Sequence, residues 1–158
     1  ILIIFAASLK GIKTIAISRS KAKRNRALEF GAQHAFSPEN AIEEINNLSE
    51  GLGSDFVVDA TGNPDGITQA LKLVHPQGTI ACKTTCGLPA SGIDMTQLVV
   101  DEITLQGSRC GPFKPALEII QTHQEKIKSL ITSTRPLEET QTALESASKE
   151  NKVILNIK

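Results

Sequence analysis

Short apolar runs alternate with amphipathic stretches from one end of this chain to the other, which predicts strands alternating with helices. Ile1–Lys10 is apolar at nearly every position and stops at Gly11. Such a run reads as a buried helix ending at a glycine cap, or as a buried strand with a short helix after it; periodicity does not separate the two, and helix is the preferred reading. Ile12–Ser18 is rich in β-branched residues and reads as a strand. Lys21–Phe30 reads as a helix closed by Gly31, and Ala35-Phe36 as a minimal strand. Ser37-Pro38 sets a cap followed by proline at the first helical position, and Ile42, Ile45 and Leu48 then mark one helix face. After Gly51 and Gly53 comes a buried strand at Asp55–Ala60. Asn63-Pro64 repeats the cap-plus-proline start, and Ile67, Ala70, Leu71 and Val74 form an apolar helical stripe.

The second half continues the alternation. His75-Pro76-Gln77-Gly78 reads as a turn before a strand at Thr79–Lys83, and Leu88–Gly92 as a Pro/Gly/Ser loop. A short helix at Met95–Val100, a strand at Ile103–Gly107 and a helix at Lys114–His123 follow. Leu137, Leu144 and Ala147 lie on a last helix before a final strand at Val153–Ile157. The fold class expected is α/β: a doubly wound parallel sheet with right-handed crossovers. No repeat, low-complexity tract or long linker interrupts it.

Composition narrows the function classes. The 158 residues suffice for one domain with a real core, at 40% apolar and 22% charged content. Seventeen cationic and seventeen acidic residues give zero formal charge, against the basic excess that nucleic-acid or membrane-surface proteins use. Trp and Tyr are absent, so base-stacking platforms are not expected. Three cysteines, Cys82, Cys86 and Cys110, fit a reducing compartment and point to the cytoplasm. Ile1–Phe5 is too short for a membrane span and lacks a charged leader. The chain opens on Ile inside an apolar run, which reads as a piece whose start lies upstream.

A parallel sheet binds ligands outside the carboxyl ends of its strands, so chemistry is sought there. The four longer exits carry Ser18-Arg19-Ser20, Asp59-Ala60-Thr61-Gly62, Lys83-Thr84-Thr85 and Ser108-Arg109-Cys110-Gly111. Small residues let a flat ligand approach the backbone, and hydroxyls supply donors. The first exit is the most informative. A dinucleotide site that reads NAD places an acid there for the adenosine ribose. Here the position is neutral, and Lys21, Lys23, Arg24 and Arg26 follow on a basic helix, which suits a 2′-phosphate and hence NADP. No G-x-G-x-x-G phosphate cradle occurs in the 158 residues; Ile1–Lys10 is the helix that would follow such a turn. Cys82, Cys86 and Cys110 lack the spacing of a zinc knuckle, and free thiols are expected. His34, His75 and His123 suit surface or capping roles, and no catalytic triad or carboxylate pair emerges. Asp59, following two valines, is read as a structural carboxylate at the ligand edge.

The runs GAQHAFSPEN, DFVVDATGNPDGITQALKLVHPQGTIACKTT and VVDEITLQGSRCGPFKPALEII resemble the cofactor domain of zinc-type medium-chain alcohol dehydrogenases, nearest the threonine-dehydrogenase-like branch. RPLEETQTALESASKENKVILNIK resembles that family's C-terminal return. The resemblance implies a Rossmann domain over residues 1–130 without its first strand, and a helix and strand at 131–158 that pack on a catalytic domain. It implies NADP(H), with NAD as the alternative, held by Ser18, Arg19 and Lys23 at the 2′-phosphate. It further implies Ala60, Thr61 and Gly62 over the adenosine and ribose, and Thr84, Thr85, Ser108 and Arg109 beside the nicotinamide. The family's zinc ligands and proton relay lie N-terminal to this region, so no metal ligand or catalytic residue is expected here. An alcohol or polyol oxidoreductase is then the expected whole, with a small alcohol or carbonyl substrate, a homo-oligomeric assembly and no turnover by this segment alone. The resemblance also implies a gap in the sheet between Ile12–Ser18 and Asp55–Ala60, where the absent strand belongs. Without upstream residues the segment is therefore expected to be unstable, repacked or oligomerised, unless Ile1–Phe5 takes the vacant place. The competing readings are a noncatalytic binding or dimerisation module using Ile103–Gly107 or Val153–Ile157 as an edge, and a methyltransferase-like fold, against which Ser18-Arg19 argues.

Overall fold

The computed structural model describes every residue except Cys86, Ser148 and Lys158. The chain divides into two compact units, Ile1–Cys110 and Gly111–Lys158.

The first unit is an α/β arrangement in which every strand pair is parallel. It runs α1 (Leu2–Ser8), β1 (Ile15–Ile17), α2 (Lys21–Glu29), β2 (His34–Phe36), α3 (Pro38–Leu48), β3 (Ser54–Asp59), α4 (Gly66–Leu71), β4 (Val74–Cys82), α5 (Met95–Val100) and β5 (Thr104–Gly107). Two sheets result, β1-β2 and β3-β4-β5. Among the described residues β1 pairs only with β2, and β3 only with β4, so the expected gap falls between β1 and β3. Ile1–Phe5 does not fill it. Leu2–Ser8 is helical, with Phe5 buried edge-to-face against Phe30 at 5.7 Å. The strand alternative for this run is thereby corrected. An apolar stripe that packs on α2 and β1 supplies the reason, since Ile1 and Ile4 cover Ala16, Ala27 and Ala32.

Local chemistry sets the boundaries. Ser20 caps α2 by accepting from the Lys23 N–H, at 3.3 Å. Gly31, at φ +103°, ends that helix where a Cβ would stand 2.6 Å from Ser8. Asp94 caps α5 by accepting from the Thr96 and Gln97 amides. The segment His75–Gly78 is a turn and part of a strand at once. Register jumps from Ser54↔Val74 to Phe56↔Thr79, which loops these residues out of β4. Gln77 takes φ +65° there and donates its N–H to the Asp101 carbonyl at 2.6 Å.

Ile80 is fully buried at the centre of the main core, with Ala70, Leu71, Val74 and Ile103 around it. Burying such a side chain contributes about 1.5–3 kcal/mol. A second cluster of Ala41, Ile45 and Leu73 takes Ile15, Phe36 and Val57 against it, so α3 covers strands of both sheets.

The second unit holds α6 (Phe113–Thr122), α7 (Gln124–Lys128), β6 (Ser133–Pro136), a 3₁₀ turn at Leu137–Glu139, α8 (Thr140–Ala147) and β7 (Val153–Asn156). β6 and β7 pair in parallel from Ser133↔Val153 to Pro136↔Asn156. β6 (Ser-Thr-Arg-Pro) carries no apolar alternation to mark it in the sequence; its pairing with β7 makes it a strand. The Glu150 carboxylate accepts from the Thr132 and Ser133 hydroxyls, each at 2.7 Å, and these bonds hold its carboxyl below the ordinary range.

Candidate functional site

All ten residues singled out as cofactor ligands lie in the first unit, nine at strand exits and Lys23 in the first turn of α2. The register aligns three of those exits. Asp59 pairs with Cys82 and Cys82 with Gly107, so Ala60-Thr61-Gly62, Thr84-Thr85 and Ser108-Arg109 leave the same sheet edge. The ladder continues past the strands: Lys83 N–H donates to the Asp59 carbonyl at 2.9 Å, and Ser108 N–H to the Cys82 carbonyl at 3.0 Å. Gly62 N–H donates to Thr84 Oγ1 at 2.9 Å, which joins the β3 and β4 exits directly.

Asp59 organises this edge. It is 7% exposed, the one buried charged residue among the described ones. Its Oδ1 accepts from the Thr61 N–H at 3.0 Å and from Thr61 Oγ1 at 2.8 Å, folding the chain back after β3. Gly66 opens α4 against the same carboxylate, where no Cβ would fit. Asp59 is thus the structural carboxylate that its place in the sequence suggested. Beside it lies a cavity of about 210 Å³, lined among others by Asn63, Ile67, Cys82, Thr84 and Thr85. Burial pushes the Cys82 thiol up, with the Asp59 charge adding to the effect, so it stays protonated.

Ser18, Arg19 and Lys23 form a separate group on the β1-β2 sheet. Ser18 N–H still belongs to the ladder, donating to the Phe36 carbonyl at 3.1 Å, and its hydroxyl accepts from the Ser20 N–H at 3.3 Å. Arg19 and Lys23 are exposed. The hydrogen bonds tie Ser18 and Lys23 to Ser20, and Thr61 to Asp59 and Gly62 to Thr84; among the described residues none of these bonds links the two groups. Arg24, one of the cations of the basic helix that suits a 2′-phosphate but not one of the residues named as its ligands, contacts the strand exit directly. Its Nη1 donates to the carbonyls of both Ser18 (2.6 Å) and Arg19 (3.0 Å). The available signal was its place one turn beyond the Ser20 cap, within reach of the strand exit. Glu39, in the first turn of α3, is an acid that Arg19 and Arg24 act on electrostatically. The Ser37 hydroxyl holds its carboxyl below the ordinary range, with its own backbone amide, Arg19 and Arg24 contributing, so it is charged at neutral pH.

The histidines stand apart. His34 stacks on Phe36, His75 sits in the looped-out part of β4 with Nδ1 against the Pro76 carbonyl, and His123 lies between α6 and α7. Among the described residues no group of three His, Cys, Asp or Glu side chains is arranged to hold a metal ion. Cys82 is half-buried and Cys110 exposed, both as free thiols; Cys86 lies outside the described residues.

Parallel strands, interleaved helices and polar exits on one sheet edge define a Rossmann-like protein. The profile of the zinc-binding dehydrogenase family matches residues 1–124, and the chain belongs to that family. It is 30% identical over 129 residues to D-arabinose 1-dehydrogenase (NADP(+)) of Saccharolobus solfataricus, covering 81% of this chain and 37% of that protein. It is 32% identical over 146 residues to L-threonine 3-dehydrogenase of Caldanaerobacter subterraneus, covering 82% of this chain and 40% of that one. The alcohol dehydrogenase solved from Thermotoga maritima superposes with a TM-score of 0.84 at 25% identity, over 96% of this chain and 45% of its own. A zinc-binding dehydrogenase from Sinorhizobium meliloti bound to NADP shares the fold at a TM-score of 0.82 and 24% identity. The chain thus spans about two-fifths of the curated relatives named here and under half of these solved chains. No described helix is long and apolar enough to cross a membrane.

Proposed function

We propose that this chain is the nicotinamide-dinucleotide-holding part of an oxidoreductase acting on a small alcohol, polyol or carbonyl compound, and that it prefers NADP(H) to NAD(H). The observation that carries the reading is the β1 exit. A hydroxyl (Ser18) and two exposed cations (Arg19 and Lys23) stand where an NAD reader needs a carboxylate. An arginine fork and a lysine charge complement a phosphate dianion, whereas a 2′-hydroxyl gives them little to bind. Glu39 offsets part of this field, but Arg19, Lys23 and Arg24 leave the exit net positive. The likeness to a relative named as an NADP(+) enzyme supports the same preference.

On this reading Ser18, Arg19 and Lys23 bind the 2′-phosphate, and Ala60, Thr61 and Gly62 back the adenosine and its ribose. Thr84, Thr85, Ser108 and Arg109 flank the nicotinamide. The bound dinucleotide supplies a hydride acceptor or donor, and these residues bind and orient it. We assign no metal ligand here; among the described residues no three His, Cys, Asp or Glu side chains are grouped to hold an ion. We place the functional boundary near residue 130, close to where the family match ends at 124. The chain's share of its relatives' length supports cofactor binding without turnover by the 158 residues alone. Free thiols support a cytoplasmic setting, and β5, exposed at all four positions, supports a homo-oligomer joined at that edge.

Titration with NADPH, NADH and S-adenosylmethionine tests the assignment. NADPH is expected to bind tightest. Arg19→Ala should weaken NADPH by roughly tenfold while leaving NADH within about twofold. Equal or absent binding of all three would remove the cofactor assignment and leave a dimerisation role through β5.

A further inference from the structure

We propose that Arg24 is the positioning residue of the 2′-phosphate site: by holding the Ser18 and Arg19 carbonyls it fixes the turn that aims Ser18 and Arg19 at the ligand. The inference rests on the NADP(H) reading above and adds a residue that makes that reading work. Successive carbonyls of an extended strand point to opposite sides. Here two successive carbonyls converge on one guanidinium nitrogen, at 2.6 and 3.0 Å, so the chain has turned by Arg19. The turn is tied at three points. Upstream, Ser18 N–H stays in the β1-β2 ladder. Downstream, Ser20 caps α2. Arg24, half-buried where Arg19 and Lys23 are exposed, spans the two.

Two consequences follow for an anion at this exit. The negative ends of both peptide dipoles are satisfied by Arg24 and drawn toward α2, so they do not face the phosphate. The Arg19 backbone is ordered before binding, which leaves only its side chain to be immobilised. Arg24 therefore acts through Ser18 and Arg19.

The decisive measurement is the ratio of dissociation constants, NADH over NADPH, for the unmodified chain, Arg24→Ala, Arg24→Lys and Arg19→Ala. A loss of folded protein lowers binding capacity for both dinucleotides alike and cancels in the ratio. Arg24→Ala should cut the ratio by about five- to tenfold. Arg24→Lys keeps the charge on a side chain one atom shorter, and it should restore less than half of that loss. An unchanged ratio in Arg24→Ala, or full restoration by lysine, would overturn the positioning role while the NADP(H) reading stands. A ratio near one in the unmodified chain, unaffected by Arg19→Ala, would overturn both.

Discussion

Gly66→Ala is the most demanding test of how the ligand edge is built. An added Cβ would stand 2.5 Å from both Asp59 carboxylate oxygens and 2.5 Å from Thr61 Oγ1, inside the 3.0 Å that real Cβ contacts respect. Three partners at once leave no single side chain to swing away. Asp59 is 7% exposed and its Oδ1 already holds two bonds, to the Thr61 amide and hydroxyl. Either α4 shifts outward or the carboxylate turns and gives up Thr61. Bonds to a charged acceptor contribute about 1.5–3 kcal/mol each, and overpacking a core costs about 1–3 kcal/mol. Partial relaxation places the expected loss at about 2–4 kcal/mol. With a urea m value of about 2–3 kcal/mol/M, that lowers the unfolding midpoint by roughly 0.7–2 M. Displacing Thr61 also slackens the Gly62–Thr84 bond at the mouth. NADPH and NADH should therefore weaken together, unlike the selective loss from Arg19→Ala. A double-mutant cycle isolates the cause. With Asp59→Ala already in place two of the three close atoms are gone and Thr61 Oγ1, released from its bond to Asp59, is free to rotate, so Gly66→Ala should cost less than half as much. A midpoint shift under about 0.2 M, or strict additivity with Asp59→Ala, would refute the proposed packing.

Three further outcomes follow from the same structure. Glu39→Gln removes the acid opposing Arg19 and Arg24, and NADPH should bind about two- to threefold tighter at low ionic strength, with the gain gone near 1 M salt, where screening acts within about 3 Å; tighter NADH binding by the same factor would contradict this. Glu150, held below the ordinary value of 4.5 by Ser133 first and then Thr132, should stabilise the chain fully above that value and progressively less as pH falls through its lowered folded-state value. Denaturation midpoints from pH 7 to pH 3 should thus fall less steeply in Glu150→Gln, and parallel slopes would argue against it. Burial raises the Cys82 thiol, so mass mapping after brief alkylation at pH 7.5 should find Cys110 modified well before Cys82. Faster labelling of Cys82 would mean that its strand is open.

Most of this fold was legible because its elements carry local signals. Met95–Val100 follows an aspartate cap, Lys21–Glu29 lies between a serine cap and Gly31, and Asp59 ends a run of β-branched residues; each is written within a few positions. The four polar strand exits were readable for the same reason, since parallel sheets put ligands at a known end of each strand. Long-range partners decided the remainder. Leu2–Ser8 is helical because Phe5, Ile1 and Ile4 meet Phe30, Ala16 and Ala27, and an all-apolar run does not name its own partners. Ser133–Pro136 is a strand because Val153–Asn156 lies beside it. His75–Gly78 turns inside a strand because Gln77 finds the Asp101 carbonyl. Arg24 reads as one of four cations on a basic helix until the chain brings the Ser18 and Arg19 carbonyls to it. The linear order of residues fixes spacing along the backbone, and hence caps, turns and faces. Which distant atoms converge on one hydrogen-bond donor or one buried carboxylate is settled only when the whole chain packs.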